Sequence, residues 1–149
     1  MKIIKVLHFL SHLKWLFGVW MIFLIFFIFI NQPDNMIQLT GTAIFISGIM
    51  MGFASLSDTT KISAKEKKDL SNQKVSKRLL IFFLVIILLV GLISILFLFL
   101  RFIKPETDKS LLNDFTKLGY DGLVMMLGLL CLMKQLADKV KYVQSLDYD

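Results

Sequence analysis

Four stretches of this 149-residue sequence contain no charged side chain, at 15–30, 36–56, 79–100 and 122–133. The hydrocarbon core of a bilayer is about 30 Å thick and is crossed by roughly 20 apolar residues in a helix, with about 17 to 25 tolerated. The stretches therefore predict four transmembrane helices, at about 13–31, 36–56, 79–101 and 117–135. The fourth is the weakest prediction, because only the segment from Leu118 to Met133 separates Lys117 from Lys134. Asp121 also lies near the outer end of this segment.

These helices predict an all-α integral membrane protein, a four-helix bundle built from two hairpins. We expect a single membrane domain over 1–149, since the length leaves no room for a soluble catalytic domain beside four spans. The polar segments are a basic loop at 57–78 and an amphipathic C-terminal helix at 134–146. In both halves of the sequence a Phe-rich run is followed by a proline and then by a segment with glycines and paired methionines. This recurrence is consistent with a weak internal 2+2 repeat. The general abundance of Phe and Gly in membrane helices is the alternative explanation.

Basic residues are distributed unevenly around the predicted spans. Of the 17 Lys and Arg residues, 13 precede span one, lie between spans two and three, or follow span four, and the other four lie on the opposite side. Short loops rich in Lys and Arg stay in the cytoplasm, so both termini are predicted to be cytoplasmic. The abundance of Ile, Phe, Lys and Asn is typical of AT-rich bacterial genomes. We therefore expect a bacterial cytoplasmic (inner) membrane.

A cleaved signal peptide is the alternative interpretation of the N-terminal segment, with Lys2 and Lys5 as its basic region. The apolar stretch is long and rich in Phe, and no small-residue cleavage site follows it before Pro33. We therefore predict that span one is retained. Cys131 is the single cysteine, which excludes a disulfide within the chain.

Side chains that could carry chemistry are scarce in this sequence. Coupled transporters keep ionisable groups within the hydrocarbon, and here Asp121 alone lies near a predicted span, so coupled transport is disfavoured. His8 and His12 precede span one, and no acidic residue is placed to orient a Ser–His pair. No nucleotide-binding glycine motif occurs. We predict that the protein is not an enzyme and has no cofactor and no direct nucleic-acid contact.

Two groups of residues were weighed as metal ligands. His8 and His12 are four residues apart and would share a helix face, but two ligands are too few for a structural site, and Lys5 on the same face would repel a cation. Methionine pairs such as Met50 and Met51 could suit Cu(I), yet adjacent residues point to different faces of a helix. Headgroup contact for the histidines and packing for the methionines are the favoured interpretations, so no metal site is predicted.

Small residues at helical spacing mark one face of span two. Helices in lipid gain nothing from burying apolar surface, and close backbone approach at such faces allows them to associate. The predicted helix-packing positions are Gly41, Gly48, Gly52, Ser55, Gly122 and Gly128. The face contacts either span four of the same chain, which we favour, or span two of a second copy. Spans one and three are apolar on every side and should form lipid-facing flanks.

Two features on the predicted cytoplasmic side indicate an interaction surface. Ser63 and Glu66 have the spacing of a capping box, which predicts a short helix through about Leu70. An apolar stripe of Leu132, Leu136, Val140 and Val143 continues beyond span four, and should pack on the loop helix, a second copy or another protein. The predicted partner or lipid contacts are Lys61, Lys65, Lys67, Lys68, Lys74, Lys77, Arg78, Leu136, Val140 and Val143.

The leading functional hypothesis is a non-enzymatic anchor or sensor subunit that presents the basic loop and the C-terminal helix to a cytosolic or membrane partner. Clustered lysines near a bilayer also attract anionic lipid, by roughly 1 kcal/mol each. The alternative is a homo-oligomeric pore or membrane-disrupting effector of the toxin, phage-defence or lysis type. Conduction would then run between copies along a modestly polar face of span two, formed by Gln38, Thr40, Thr42, Ser47 and Ser55.

Overall fold

The computed structural model describes residues 9–31, 34–103 and 109–146. The structure is 91% helical, and none of these ranges contains a strand, which confirms the all-α prediction. The described helices are α1 (Leu13–Asn31), α2 (Met36–Ser55), α3 (Ala64–Ser71), α4 (Gln73–Ile103) and α5 (Lys109–Leu146).

Three segments are long and apolar enough to cross a membrane, namely Phe9–Asn31, Met36–Ser55 and Gln73–Leu100. They correspond to predicted spans one, two and three and indicate a membrane protein. α5 is not among them. It joins the predicted fourth span and the predicted C-terminal helix into one continuous helix of 38 residues, about 57 Å long at a rise of 1.5 Å per residue.

The four long helices form an open row in the order α1, α2, α5, α4. Among the described residues α1 packs on α2 alone, and α4 packs on α5 and on the short helix α3. A closed bundle would also bring α4 against α1, and this contact is not made. The predicted four-helix bundle topology is therefore not confirmed. The two outer helices are apolar on all sides. Lipid chains can cover the apolar faces that a closed bundle would bury between helices.

α2 and α5 run parallel, whereas the pairs α1–α2 and α4–α5 are antiparallel. Gln38 contacts Asp114 near the start of both helices, and Gln135 contacts Ser57 just after the end of α2. The segment 114–135 of α5 therefore lies alongside the segment 38–57. Two hairpins of the same orientation produce this parallel pairing, while the internal repeat itself stays a prediction.

The outer helices leave most of their apolar surface uncovered. Trp15 and Phe29 in α1 are 70% and 77% exposed, and Leu88 in α4 is 63% exposed. Polar neighbours are almost absent from both surfaces, which is the distribution expected where acyl chains rather than water surround a helix. The exposure agrees with the prediction that spans one and three are lipid-facing flanks.

Candidate functional site

The centre of the row is a contact between the backbones of α2 and α5, which we call the α2–α5 seam. A Cβ atom built at Gly48 would lie 2.7 Å from both Cα and N of Met125, and one built at Gly128 would collide with the carbonyl oxygen of Gly48. Neither position has room for a side chain. The seam joins two helices of one chain, which is the favoured of the two alternatives for the small-residue face.

Gly52, which was predicted to share this face, does not take part in the seam. A Cβ atom built at Gly52 would meet no atom within 4 Å, so within this chain Gly52 is not a close-contact position. Ser55 is half-buried, and its hydroxyl donates to the carbonyl oxygen of Gly52 in its own helix at 2.6 Å. The spacing of small residues places them on one face, but the crossing of two helices brings only part of a face into contact.

Gly122 also packs closely, although its neighbour is α4 rather than α2. A Cβ atom built there would collide with the Ser94 hydroxyl, and one built at Gly119 would lie 2.9 Å from the Ser94 carbonyl oxygen. Ser94 is 2% exposed and donates its hydroxyl to the Val90 carbonyl oxygen at 2.7 Å. α5 thus offers glycines to both neighbours, which explains its place between α2 and α4.

Methionines fill the spaces that glycines leave in the outer helices. Met50 of α2 has its Sδ atom 3.4 Å from a Cβ built at Gly18 of α1, and Met126 of α5 has its Sδ atom 2.8 Å from one built at Gly91 of α4. Their flexible thioethers suit irregular gaps. This geometry agrees with the packing interpretation of these methionines.

Charged and polar groups converge where the seam begins. Gln38 donates its Nε2 to Asp114 Oδ1 at 2.9 Å, and Lys117 donates its Nζ to Thr42 Oγ1 at 3.4 Å. One turn further along α5, Asp121 is 8% exposed and its Oδ2 atom has no hydrogen-bond partner. The sequence predicts Asp121 near the outer end of the fourth span. The structure places it inside the contact with α2.

Sequence reasoning missed that Asp114, Lys117 and Asp121 share one face of α5. Their spacing of three and four residues is the signal that could have found it, because residues at i, i+3 and i+7 align along a helix.

The hydroxyl groups on α2 are mostly satisfied within their own helix. Thr40, Thr42 and Ser47 donate to the carbonyl oxygens of Met36, Gln38 and Ile44, at 2.8, 2.9 and 2.7 Å. Ser47 is 8% exposed. The polar face predicted for span two therefore consists mainly of hydroxyls turned toward their own backbone.

A second assembly, which we call the α3–α5 clasp, lies at the other end of α5. Its apolar cluster consists of Ile62, Leu70, Leu136, Val140 and Val143, with Val143 fully buried. The predicted capping box is present: the Ser63 hydroxyl accepts from the Glu66 backbone N–H at 3.3 Å, and the Glu66 carboxylate accepts from the Ser63 backbone N–H at 3.0 Å. The short helix predicted from this motif is confirmed as α3.

Glu66 also joins the two helices of the clasp electrostatically. Its Oε1 atom lies 3.3 Å from Nζ of Lys139. The hydrogen bond from the Ser63 backbone, followed by that from Lys139, holds the pKa of Glu66 below its usual value. The side chain is about half exposed, so water screens the ion pair and its orienting effect exceeds its contribution to stability.

The clasp changes which predicted contacts a partner could reach. Val140 and Val143, expected to offer an apolar surface to a partner, are covered by Leu70 and Ile62 of the same chain. The predicted apolar partner contact is therefore already occupied in this conformation, because α3 folds back on the stripe. Every basic residue of the loop is exposed, and we call this set the basic surface: Lys61, Lys65, Lys67, Lys68, Lys74, Lys77 and Arg78.

The charges of α3 are segregated. Glu66 and Asp69 line a cavity of about 300 Å³ between α3, α4 and α5, whose apolar wall includes Phe83 and Leu132. The lysines of α3 point to the outside. The short helix thus keeps its acidic groups beside α5 and presents its basic groups to the surroundings.

The described ranges contain no group of three His, Cys, Asp or Glu side chains placed to hold a metal ion. His8, one of the two histidines weighed as ligands, lies outside these ranges, as do Lys2 and Lys5. Cys131 is exposed on α5.

Comparison with known proteins found no matching family model, no matching curated protein and no matching solved structure.

Proposed function

We propose that the chain crosses the membrane four times, with both termini and the basic surface in the cytoplasm. The parallel alignment of α2 and α5 supports this arrangement. If α2 crosses the bilayer, the segment 114–135 beside it lies at the same depths, and burial between α2 and α4 explains how it tolerates Asp121. The asymmetric distribution of basic residues supports the orientation.

Single cysteines in a Cys131→Ala background test this topology. Cysteines replacing Asn35 and Asn113 should react with a membrane-impermeant thiol reagent in intact cells, and one replacing Asn72 should react only after the membrane is opened. All three positions are exposed. Labelling at Asn72 in intact cells, or protection at Asn113, would contradict the four-span arrangement.

For the function, we infer that the protein is a non-enzymatic membrane subunit that presents a rigid cationic platform to an acidic surface of a partner protein. One observation carries this inference: the clasp buries the apolar side of α3 and leaves all seven basic side chains exposed. A loop kept only to orient the chain in the membrane needs no fold. Here the loop carries a capped helix, an apolar cluster and an ion pair to α5.

The clasp would contribute to binding by orientation. Lysine side chains lose conformational freedom on binding, which costs about 0.5–1.5 kcal/mol for each side chain. On a mobile loop the backbone must be ordered as well, and the folded clasp lowers that second cost. Electrostatic attraction then sets the rate of encounter and the relative orientation of the partners. Recognition of this kind weakens with salt, since screening acts over about 10 Å at 0.1 M.

Reversing three charges of the basic surface tests the proposal. The variant Lys65→Glu, Lys67→Glu, Lys68→Glu should lose a stoichiometric soluble partner during purification from source membranes at 0.1 M salt. The matched control, with Arg at the same three positions, keeps the charge and should retain the partner. Both variants should keep the wild-type thermal transition, because these side chains point away from the clasp.

The pore hypothesis makes the opposite prediction for the same preparation. α2 lies between α1 and α5, and most of its hydroxyls donate to their own helix, so it offers little polar surface to a second copy. A purified particle made of identical 17.2 kDa chains, together with ion leakage that is altered by Thr42→Val, would overturn the subunit proposal in favour of a pore.

A further inference from the structure

Asp121 is a buried carboxyl group on the face of α5 that contacts α2. Its Oδ2 atom would lie 2.5 Å from a Cβ atom at Gly41, so the carboxyl rests directly on the α2 backbone in space that only a glycine leaves. A methyl group of Leu118 lies 3.6 Å from the same point. Oδ2 is shielded from solvent and has no hydrogen-bond partner.

The charged groups around Asp121 belong to its own helix. α2 has no titratable side chain anywhere in Met36–Ser55. α4 packs against this part of α5 with uncharged residues, Ser94 and Leu98. On α5, Tyr120 is exposed, and Asp114 accepts a hydrogen bond from Gln38.

Lys117 is the cation whose field reaches Asp121, but its ammonium group is directed to Thr42. No salt bridge between the two is found among the described residues. A carboxylate buried without a partner loses its hydration with nothing in return, and such a group usually takes up a proton instead. A hard metal ion would need several oxygen ligands, and the described residues place no group of three His, Cys, Asp or Glu side chains together.

We propose that Asp121 is a proton-binding site within the membrane, occupied while its carboxyl group packs on Gly41. The inference relies on the four-span arrangement proposed above and goes beyond the interaction function. The two polar contacts nearer the start of the seam, Lys117 with Thr42 and Asp114 with Gln38, lie on successive turns between Asp121 and the end of the span. They connect the site to the proposed outer surface. An ionisable group kept inside a membrane protein commonly marks a proton or ion pathway.

A hydrophobic carbodiimide, dicyclohexylcarbodiimide, is a suitable probe for a protonated carboxyl group in an apolar site. The acid proton moves to a carbodiimide nitrogen as a carboxyl oxygen bonds to the central carbon. The resulting O-acylisourea rearranges to a stable N-acylurea with no group lost. The labelled peptide therefore gains the mass of one whole carbodiimide.

The full-length chain in phosphatidylcholine vesicles would be labelled at pH 7 and mapped by peptide mass. We expect Asp121 to be labelled at least tenfold more than Asp114 and Asp138, and its labelling to fall as the pH rises. A water-soluble carbodiimide should show the reverse preference. Comparable labelling of all three aspartates, or none at Asp121, would overturn the proposal. Protection of Asp121 by sodium at constant ionic strength would overturn it in favour of a metal-ion site.

Two variants connect the labelling to the geometry. Gly41→Ala places a methyl group against Oδ2 and should displace the carboxyl, lowering hydrophobic labelling about tenfold and exposing Asp121 to the water-soluble reagent. Asp121→Asn, a neutral mimic of the protonated acid, should remove the label and keep the wild-type thermal transition. Asp114→Asn is the control and should leave labelling of Asp121 unchanged.

If Gly41→Ala leaves both labelling patterns unchanged, Oδ2 does not pack on Gly41 and the inference fails. The cysteine at position 113 separates this failure from that of the topology. An accessible position 113 together with an unlabelled Asp121 would reject the proton site alone.

Discussion

α5 meets α2 and α3 by two different kinds of contact. In the α2–α5 seam, Gly48 and Gly128 bring the backbones together and leave no space for a Cβ atom. In the α3–α5 clasp, Leu70 and Val143 bury apolar side chains, and Ser63 and Glu66 cap the short helix. The same helix therefore packs through close backbone contact in the seam and through burial of apolar side chains in the clasp.

The proposed surroundings explain this difference. Lipid chains are as apolar as leucine, so inside the bilayer the burial of apolar side chains provides no driving force and close packing must stabilise the contact. In water, burial of apolar area stabilises by about 25 cal/mol per Å². The proposed passage of this helix from lipid to water would account for the change from glycine contacts to leucine and valine contacts along α5.

The largest expected effect comes from filling the seam. Gly48→Leu should destabilise the protein by about 3 kcal/mol, at the upper end for overpacked sites, because the atoms it meets are backbone atoms of Met125 that cannot rotate away. Thermal unfolding in detergent micelles measures the change.

Gly52→Leu is the matched control and should stay within about 0.5 kcal/mol of wild type, since nothing lies within 4 Å of the added Cβ. Equal destabilisation by Gly48→Leu and Gly52→Leu would contradict the placement of Gly48 inside the seam and Gly52 outside it. Dissociation of an oligomer by Gly52→Leu would assign that position to a contact between copies.

A smaller and more local effect is expected from the clasp. Val143→Ala removes two buried carbon atoms and should cost about 2 kcal/mol, at about 0.8 kcal/mol for each plus a cavity term. The loss should appear as faster amide hydrogen exchange in α3, with exchange in α2 unchanged. Leu146→Ala is the control, because Leu146 is 43% exposed. If α2 exchanges faster as well, the clasp and the seam unfold as one unit.

Removal of the helix cap should have a smaller effect again. Ser63→Ala deletes the acceptor for the Glu66 backbone N–H and should destabilise α3 by about 1 kcal/mol. Amide exchange at Glu66 and the following residues measures it. Ser71→Ala, which removes a hydroxyl at the other end of α3, should leave the exchange nearly unchanged. The cap has no role if the two variants behave alike.

The smallest effect is the pH dependence of the clasp. Because its pKa is lowered in the folded state, Glu66 stabilises the clasp at pH values above the pKa of the unfolded chain, and this contribution is lost as the pH falls through the folded pKa. The ion pair between the half-exposed Glu66 and Lys139 should account for under about 0.5 kcal/mol. Amide exchange in α3, corrected for intrinsic pH dependence, should rise on acidification in the wild type and not in Glu66→Gln. A rise of the same size in Glu66→Gln would assign the dependence to another group.

Predictions from local sequence succeeded where the determining residues are neighbours in the chain. The capping box at Ser63 predicted the start of α3, because its hydrogen bonds join residues three apart. The apolar runs predicted α1 and α2 within a residue or two. Gly48 was correctly selected for close packing, since a GxxxG pattern reports the shape of one helix face.

Predictions failed where the outcome depends on how two helices cross. Gly52 belongs to the same GxxxG pattern as Gly48 and lies outside the contact. Asp121 was interpreted as a charge near a surface and lies buried against Gly41. The bundle topology is not confirmed, since apolar patterns report which surfaces avoid water without specifying whether lipid or protein covers them.

By itself the sequence determined an all-α membrane protein, the extent of most of its helices and the capped helix of its basic loop. These features follow from hydropathy and from hydrogen bonds between residues close in the chain. The tertiary structure alone decided that α2 and α5 meet in parallel through Gly48 and Gly128, that Val143 is covered by α3, and that Asp121 is enclosed without a partner. Each depends on the distance between segments far apart in the chain, which a periodic pattern does not contain.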